Sequence, residues 1–118
     1  EDLPGCSLLP SIEGTQEPPE RTVFCEYHGE GVHAPCFMGR WRNMKYFYVH
    51  GHEERLYDVT NDPDELEDLI GNPGYAGVVQ QIRKDLLEQF DPQGIADAAM
   101  RSQRNRSFIY YCQEKGVA

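Results

Sequence analysis

Cys36-Phe37-Met38-Gly39-Arg40, then Trp41-Arg42-Asn43-Met44, then Lys45-Tyr46-Phe47-Tyr48-Val49-His50 reads as a β-hairpin with the middle four residues at the turn. The second arm is aromatic and β-branched, the composition that fits a pleated, half-buried surface. Working outward, Thr22-Val23-Phe24-Cys25-Glu26-Tyr27 is a β-prone run ended by Gly29 and Gly31. Arg55-Leu56-Tyr57-Asp58-Val59 follows the hairpin after a turn at residues 51–54. Strands this close in sequence pair antiparallel, because parallel pairing needs a long crossover.

Beyond the strands the period changes. Val78, Ile82, Leu86 and Phe90 recur every four residues, with Val79 and Leu87 beside them and Gln80, Gln81, Lys84, Asp85 and Glu88 opposite. This is the pattern of an amphipathic helix with one face on a core. Asp62-Pro63-Asp64-Glu65 has an N-cap, a proline at the first helical position and acids in the first turn, which predicts a short helix broken at Gly71-Asn72-Pro73-Gly74. Asp91-Pro92 ends the amphipathic helix, and a last helix is expected from Gln93 to Lys115 with only Ile95, Ala98, Ala99 and Ile109 as scattered apolar positions. Strands first and helices after make an α+β pattern: a small antiparallel sheet of three to four strands, an amphipathic helix on one face, and a C-terminal helix. The organisation reads as an extended lead-in over 1–20 with one short helical turn, an α+β domain over 21–92 and a helical tail over 93–118.

The chain has 118 residues, enough for one modest core. Its net charge of −9 argues against nucleic acid, which requires a basic surface. The charge is uneven. Acids crowd residues 53–68 against Arg55 alone, whereas Arg101, Arg104 and Arg106 gather late. No stretch approaches the ~20 apolar residues of a membrane helix, so no membrane partner is expected. Cys6, Cys25, Cys36 and Cys112 lie at wide, irregular spacings without a C-x-x-C, which favours thiols over a metal or disulfide scaffold, although two disulfides are possible in an oxidising compartment. The start at Glu1, without Met or a basic-then-apolar leader, is what an excised piece of a longer protein would show.

The densest polar cluster is Glu26-Tyr27-His28-Gly29-Glu30-Gly31-Val32-His33, at a strand end and on a Gly-rich loop. Strand-end loops commonly host sites because the scaffold fixes them. Paired Glu and His suit acid–base work or a substrate contact. With His50 and His52 the same histidines could bind a metal, and the bland alternative is a solvated polar turn. The aromatics Phe37, Trp41, Tyr46, Phe47, Tyr48 and Tyr57 could cage a quaternary ammonium ligand or could simply build the core. No G-x-S-x-G, P-loop or H-E-x-x-H motif is present.

Glu26-Tyr27-His28-Gly29-Glu30-Gly31-Val32, followed by Ala34-Pro35-Cys36-Phe37-Met38, resembles the C-terminal region of sulfatases of the alkaline phosphatase superfamily, nearest to the choline-sulfatase-like branch. The likeness continues through Lys45-Tyr46, Leu56-Tyr57-Asp58, Asp62-Pro63-Asp64-Glu65 and Leu69, and back to Leu3-Pro4-Gly5-Cys6-Ser7-Leu8-Leu9-Pro10, which is similar to the family's G-[RC]-S-L-L-P segment. It spans residues 3 to about 92. The resemblance implies a sulfuric-ester hydrolase, of a bacterial type, cytoplasmic or periplasmic. In that family a formylglycine made from a Cys or Ser in C/S-x-P-x-R and a divalent metal, usually calcium, lie in a larger N-terminal domain, so no catalytic residue, metal ligand or cofactor is expected in this chain. Cys36-Phe37-Met38-Gly39-Arg40 places Met38 where that motif needs Pro. Three substrate-binding residues are implied: Glu26 at the pocket facing a cationic head group, with His28 and His33 on the bordering loop. The implied partners are the N-terminal catalytic domain and, through the tail, a neighbouring subunit. The alternatives are a stand-alone acidic and aromatic module for a cationic ligand or basic partner, and a small metalloprotein using His28, His33, His50 and His52.

Overall fold

The computed structural model describes residues 6–17, 19–29 and 31–116. Glu30 of the polar cluster, Leu3-Pro4-Gly5 and the start of the lead-in therefore lie outside the described residues. Four strands, β1 (Val23–Tyr27), β2 (Cys36–Trp41), β3 (Met44–Val49) and β4 (Arg55–Asp58), form one sheet in chain order, every pair antiparallel. The hairpin register sets Phe37 opposite Tyr48, Gly39 opposite Tyr46 and Trp41 opposite Met44, leaving Arg42-Asn43 as a two-residue turn. Arg42 adopts φ 53°, the left-handed conformation that short hairpin turns demand.

The described residues also form three α-helices, α1 (Leu9–Ile12), α2 (Ala76–Gln89) and α3 (Pro92–Lys115), with a single 3-10 turn at Pro73–Tyr75 leading into α2. Helix α2 lies on one face of the sheet, burying Val79, Ile82 and Leu86 against Phe37, Met44, Tyr46 and Leu56. Each such side chain taken from water is worth roughly 1.5–3 kcal/mol, so this layer dominates the stability. Phe24, Tyr48, Phe90 and Ile95 close its margin. Leu87, expected beside the stripe, is 53% exposed.

The helix expected to start at Asp62 does not form. Its polar side chains claim the backbone instead. The Asp62 carboxylate accepts from the Glu67 amide at 2.8 Å, Asp68 accepts from Leu56 and Ile70 at 3.1 Å, and Glu65 sits at φ 55°. Asp and Asn compete with helical hydrogen bonds in this way, favouring turns. The segment folds back over the edge of β4, held by the Leu69 amide donating to the Leu56 carbonyl and by Lys45 Nζ–Glu65 Oε1 at 2.6 Å.

At the α2–α3 junction Asp91 caps α3, accepting from the Gly94 amide at 3.0 Å, and Pro92 holds the first helical position. Only the first turns of α3 meet the body: Pro92 is buried and Ile95, Ala96 and Ala99 are half-buried, whereas Met100, Phe108, Ile109, Tyr110 and Tyr111 are exposed. The radius of gyration is 19.2 Å, against roughly 13–14 Å for a compact chain of this length. The exposed second half of α3 contributes to that excess.

Candidate functional site

Glu26 and His28 lie two residues apart where β1 ends. On a strand that spacing puts both on one face. Glu26 pairs with Phe37 in the register, so that face is the α2 side. His28 Nε2 and Glu26 Oε2 are 2.8 Å apart, with the imidazole 24% and the carboxylate 49% exposed. Phe37 meets the His28 ring edge-on, centroids 5.1 Å apart at 62°, and is itself backed by Phe90 at 5.0 Å. The core thus fixes the histidine, which in turn orients the more exposed carboxylate. His28 Nδ1 is buried without a hydrogen-bond partner.

The loop after β1 brings His33 to the same place. His28, Val32, His33 and Pro35 form one wall of a cleft of about 60 Å³, and Ala96, Ala99, Met100 and Gln103 of α3 form the other. Of the three residues expected at the site, His28 and His33 line this cleft, and Glu26 does not; it joins them only through its pair with His28. The α3 wall had no local signal in the sequence, because it is joined to the loop only by tertiary packing. A wider, shallow hollow of about 530 Å³ at the other end of β1, among Glu20, Thr22, Trp41 and Asp85, contains none of them.

The histidines do not converge. His50 Nε2 meets Gln93 Oε1 at 3.1 Å and His50 Nδ1 meets the Tyr48 hydroxyl at 3.3 Å, while His52 sits in the exposed turn between β3 and β4. Among the described residues no three His, Cys, Asp or Glu side chains are placed to hold a metal ion. The aromatics divide between places: Phe37 and Tyr46 are in the core, Phe47 and Tyr57 meet edge-on on the opposite sheet face, and Trp41 carries the Arg42 guanidinium 4.6 Å from its ring. The four cysteines are free thiols, and Cys36 donates to the Ala34 carbonyl at 3.3 Å from within β2. A strand-bound Cys36 with Met38 in place of proline does not fit a formylglycine site, and the described carboxylates do not fit a metal centre, so no chemical step is assigned to this chain. No described helix is long and apolar enough to cross a membrane.

No protein-family model matches the chain. It is 34% identical over 113 residues to a choline-sulfatase of Rhizobium meliloti, covering 91% of this chain and 21% of that protein. It is 34% identical over 90 residues to a Δ4,5-hexuronate-2-O-sulfatase of Bacteroides thetaiotaomicron, covering 73% of this chain and 18% of the relative. A solved 2-O GAG sulfatase superposes with a TM-score of 0.58 at 28% identity, covering 88% of this chain and 21% of the other. The chain is homologous to the C-terminal region of sulfatases and spans about a fifth of the length of the curated relatives it matches.

Proposed function

We propose that the chain is the C-terminal domain of a sulfuric-ester hydrolase, forming one wall of the substrate pocket and inactive without the polypeptide that carries the nucleophile. The lead-in 1–20, the sheet and helix of 21–92 and the tail 93–118 then act as joint, wall and arm. The observation that carries the reading is the Glu26–His28 pair, clamped at 2.8 Å on a strand end bordered by the His33 loop, in a chain homologous to this part of sulfatases over most of its length. A half-exposed carboxylate held by a core-backed imidazole suits a fixed cation rather than proton transfer, in keeping with a choline-type head group. Calcium and formylglycine belong to the remaining polypeptide in this reading. The projecting half of α3, with Arg101, Arg104 and Arg106 beside exposed Phe108, Ile109 and Tyr111, suits a contact with a neighbouring subunit.

The test uses the full-length hydrolase. Glu26→Gln is expected to raise KM for a cationic sulfate ester roughly tenfold, the size of one lost charge contact, and to leave a neutral aryl sulfate unaffected. Equal effects on both esters, or none on either, would remove Glu26 from the pocket. Turnover of an aryl sulfate by this chain alone would reject the whole reading.

A further inference from the structure

The sheet has a second face, and it is the wrong kind of surface for water. Helix α2 covers the face of Phe37, Tyr46 and Leu56. The register places Cys25, Met38, Phe47 and Arg55 across the opposite face, with Tyr27, Cys36 and Val49 in the next row. An antiparallel sheet with one solvated side alternates apolar and polar residues. This one carries sulfur, aromatic and aliphatic side chains across the middle of those two rows, and its cations are confined to Arg55 on β4 and to Arg40 and Lys45 in the row nearest the hairpin turn. The 59–72 segment reaches over only one margin, through the Lys45–Glu65 pair, and leaves Tyr57 buried there. Beyond that margin Phe47 stands as a ridge between two hollows. The hollow on the β1 side, about 270 Å³, is floored by Cys25, Met38 and Phe47, with Cys25 exposed.

We infer that this open face is the docking surface for the catalytic polypeptide of the longer protein, which lays a third layer on the sheet over Cys25, Met38 and Phe47. Two facts select that occupant. The chain accounts for only 21% of the choline-sulfatase it matches, so most of the homologous polypeptide lies outside it. The uncovered residues belong to the three strands β1, β2 and β3, a width suited to a packed layer rather than to a small ligand. The inference rests on the reading of the chain as part of a larger sulfatase and adds which face meets the rest.

Cys25 reports on it. A buried thiol is shielded from reagents that an exposed one meets. The experiment measures maleimide labelling of Cys25, by peptide mass spectrometry, in the full-length protein and in this chain alone. Labelling is expected to be at least roughly tenfold slower in the full-length protein, and Phe47→Glu, or separately Met38→Glu, is expected to restore the fast rate there. Fast labelling of Cys25 in the full-length protein overturns the inference while leaving the sulfatase reading intact. Protection that neither substitution relieves overturns it as well, because the cover then lies elsewhere. Protection that appears in this chain alone as its concentration rises assigns the face to a second copy and rejects the catalytic polypeptide. A coding sequence with no sulfatase catalytic domain joined to this chain rejects both readings together.

Discussion

Gly39 offers the sharpest test of how α2 sits on the sheet. A Cβ built there would lie 2.8 Å from Ile82 Cγ2 and 2.9 Å from Phe24 Cε1, well inside the 3.5–4.0 Å of ordinary carbon contacts. Ile82 is fully buried, so it has little room to retreat, whereas Phe24 sits half-buried on the edge strand and can turn. Gly39→Ala should therefore overpack the layer by about 1–3 kcal/mol, offset by about 0.5–1 kcal/mol because alanine loses less chain entropy than glycine. The net destabilisation expected is about 1–2 kcal/mol. Ile82→Ala should cost ~2–5 kcal/mol by opening a cavity in the same place. The two changes should not add. With Cγ2 gone, the new methyl enters vacated space, and Gly39→Ala in the Ile82→Ala background should be neutral or slightly stabilising. The coupling is then on the order of 1–2 kcal/mol, typical of residues in contact. Urea unfolding followed by far-UV circular dichroism gives all four free energies by linear extrapolation. Additivity to within about 0.5 kcal/mol would mean that α2 does not cross the sheet at Gly39.

Two further outcomes follow from buried polar groups. Asp58 is buried and accepts from the side chains of Asn43 and Asn61 and from the amides of Asn61 and Thr60, which holds its carboxyl down at about 2. A depressed carboxylate contributes stability that is whole above the unfolded value near 3.9 and is lost as pH falls toward the folded one. Asp58→Asn should accordingly flatten the decline of the urea midpoint between pH ~4 and ~2, and parallel declines in parent and variant would refute the assignment. Tyr46 is fully buried, yet its hydroxyl lies against the Arg83–Glu54 ion pair without a hydrogen bond of good geometry, and burial raises its pKa. Tyr46→Phe should therefore change stability by less than about 1 kcal/mol, since no well-formed bond is lost, whereas a loss above ~2 kcal/mol in the same urea assay would show that the hydroxyl is bonded.

The elements legible in the sequence were those whose own residues decide them. The β2–β3 hairpin followed from its aromatic arm and short turn, and α2 from its four-residue recurrence, both of which the packing obeys. The expected Asp62 helix does not form because five acids in seven residues, 62–68, serve the backbone as turn partners instead. Glu26, His28 and His33 stood out in the sequence only as one polar cluster at a strand end, and the 2.8 Å pairing of Glu26 with His28 appears in the structure. Their neighbours Ala96 and Met100 did not stand out, since only the return of α3 past the loop brings them there.

The same distinction explains the open sheet face. Tyr46-Phe47-Tyr48-Val49 has no apolar–polar alternation, the mark of a strand covered on both sides, and that signal was present in the sequence as an unusually strong strand. The described residues supply one amphipathic helix, α2, for a sheet whose second face is also apolar over Cys25, Met38 and Phe47. Helix α3 leaves that face open, for its large apolar residues beyond Ala99, namely Met100 and the run Phe108-Ile109-Tyr110-Tyr111, are exposed. A surplus of apolar strand face over apolar helix face is the physical ground of the proposed docking, beside the chain's partial span of its relatives.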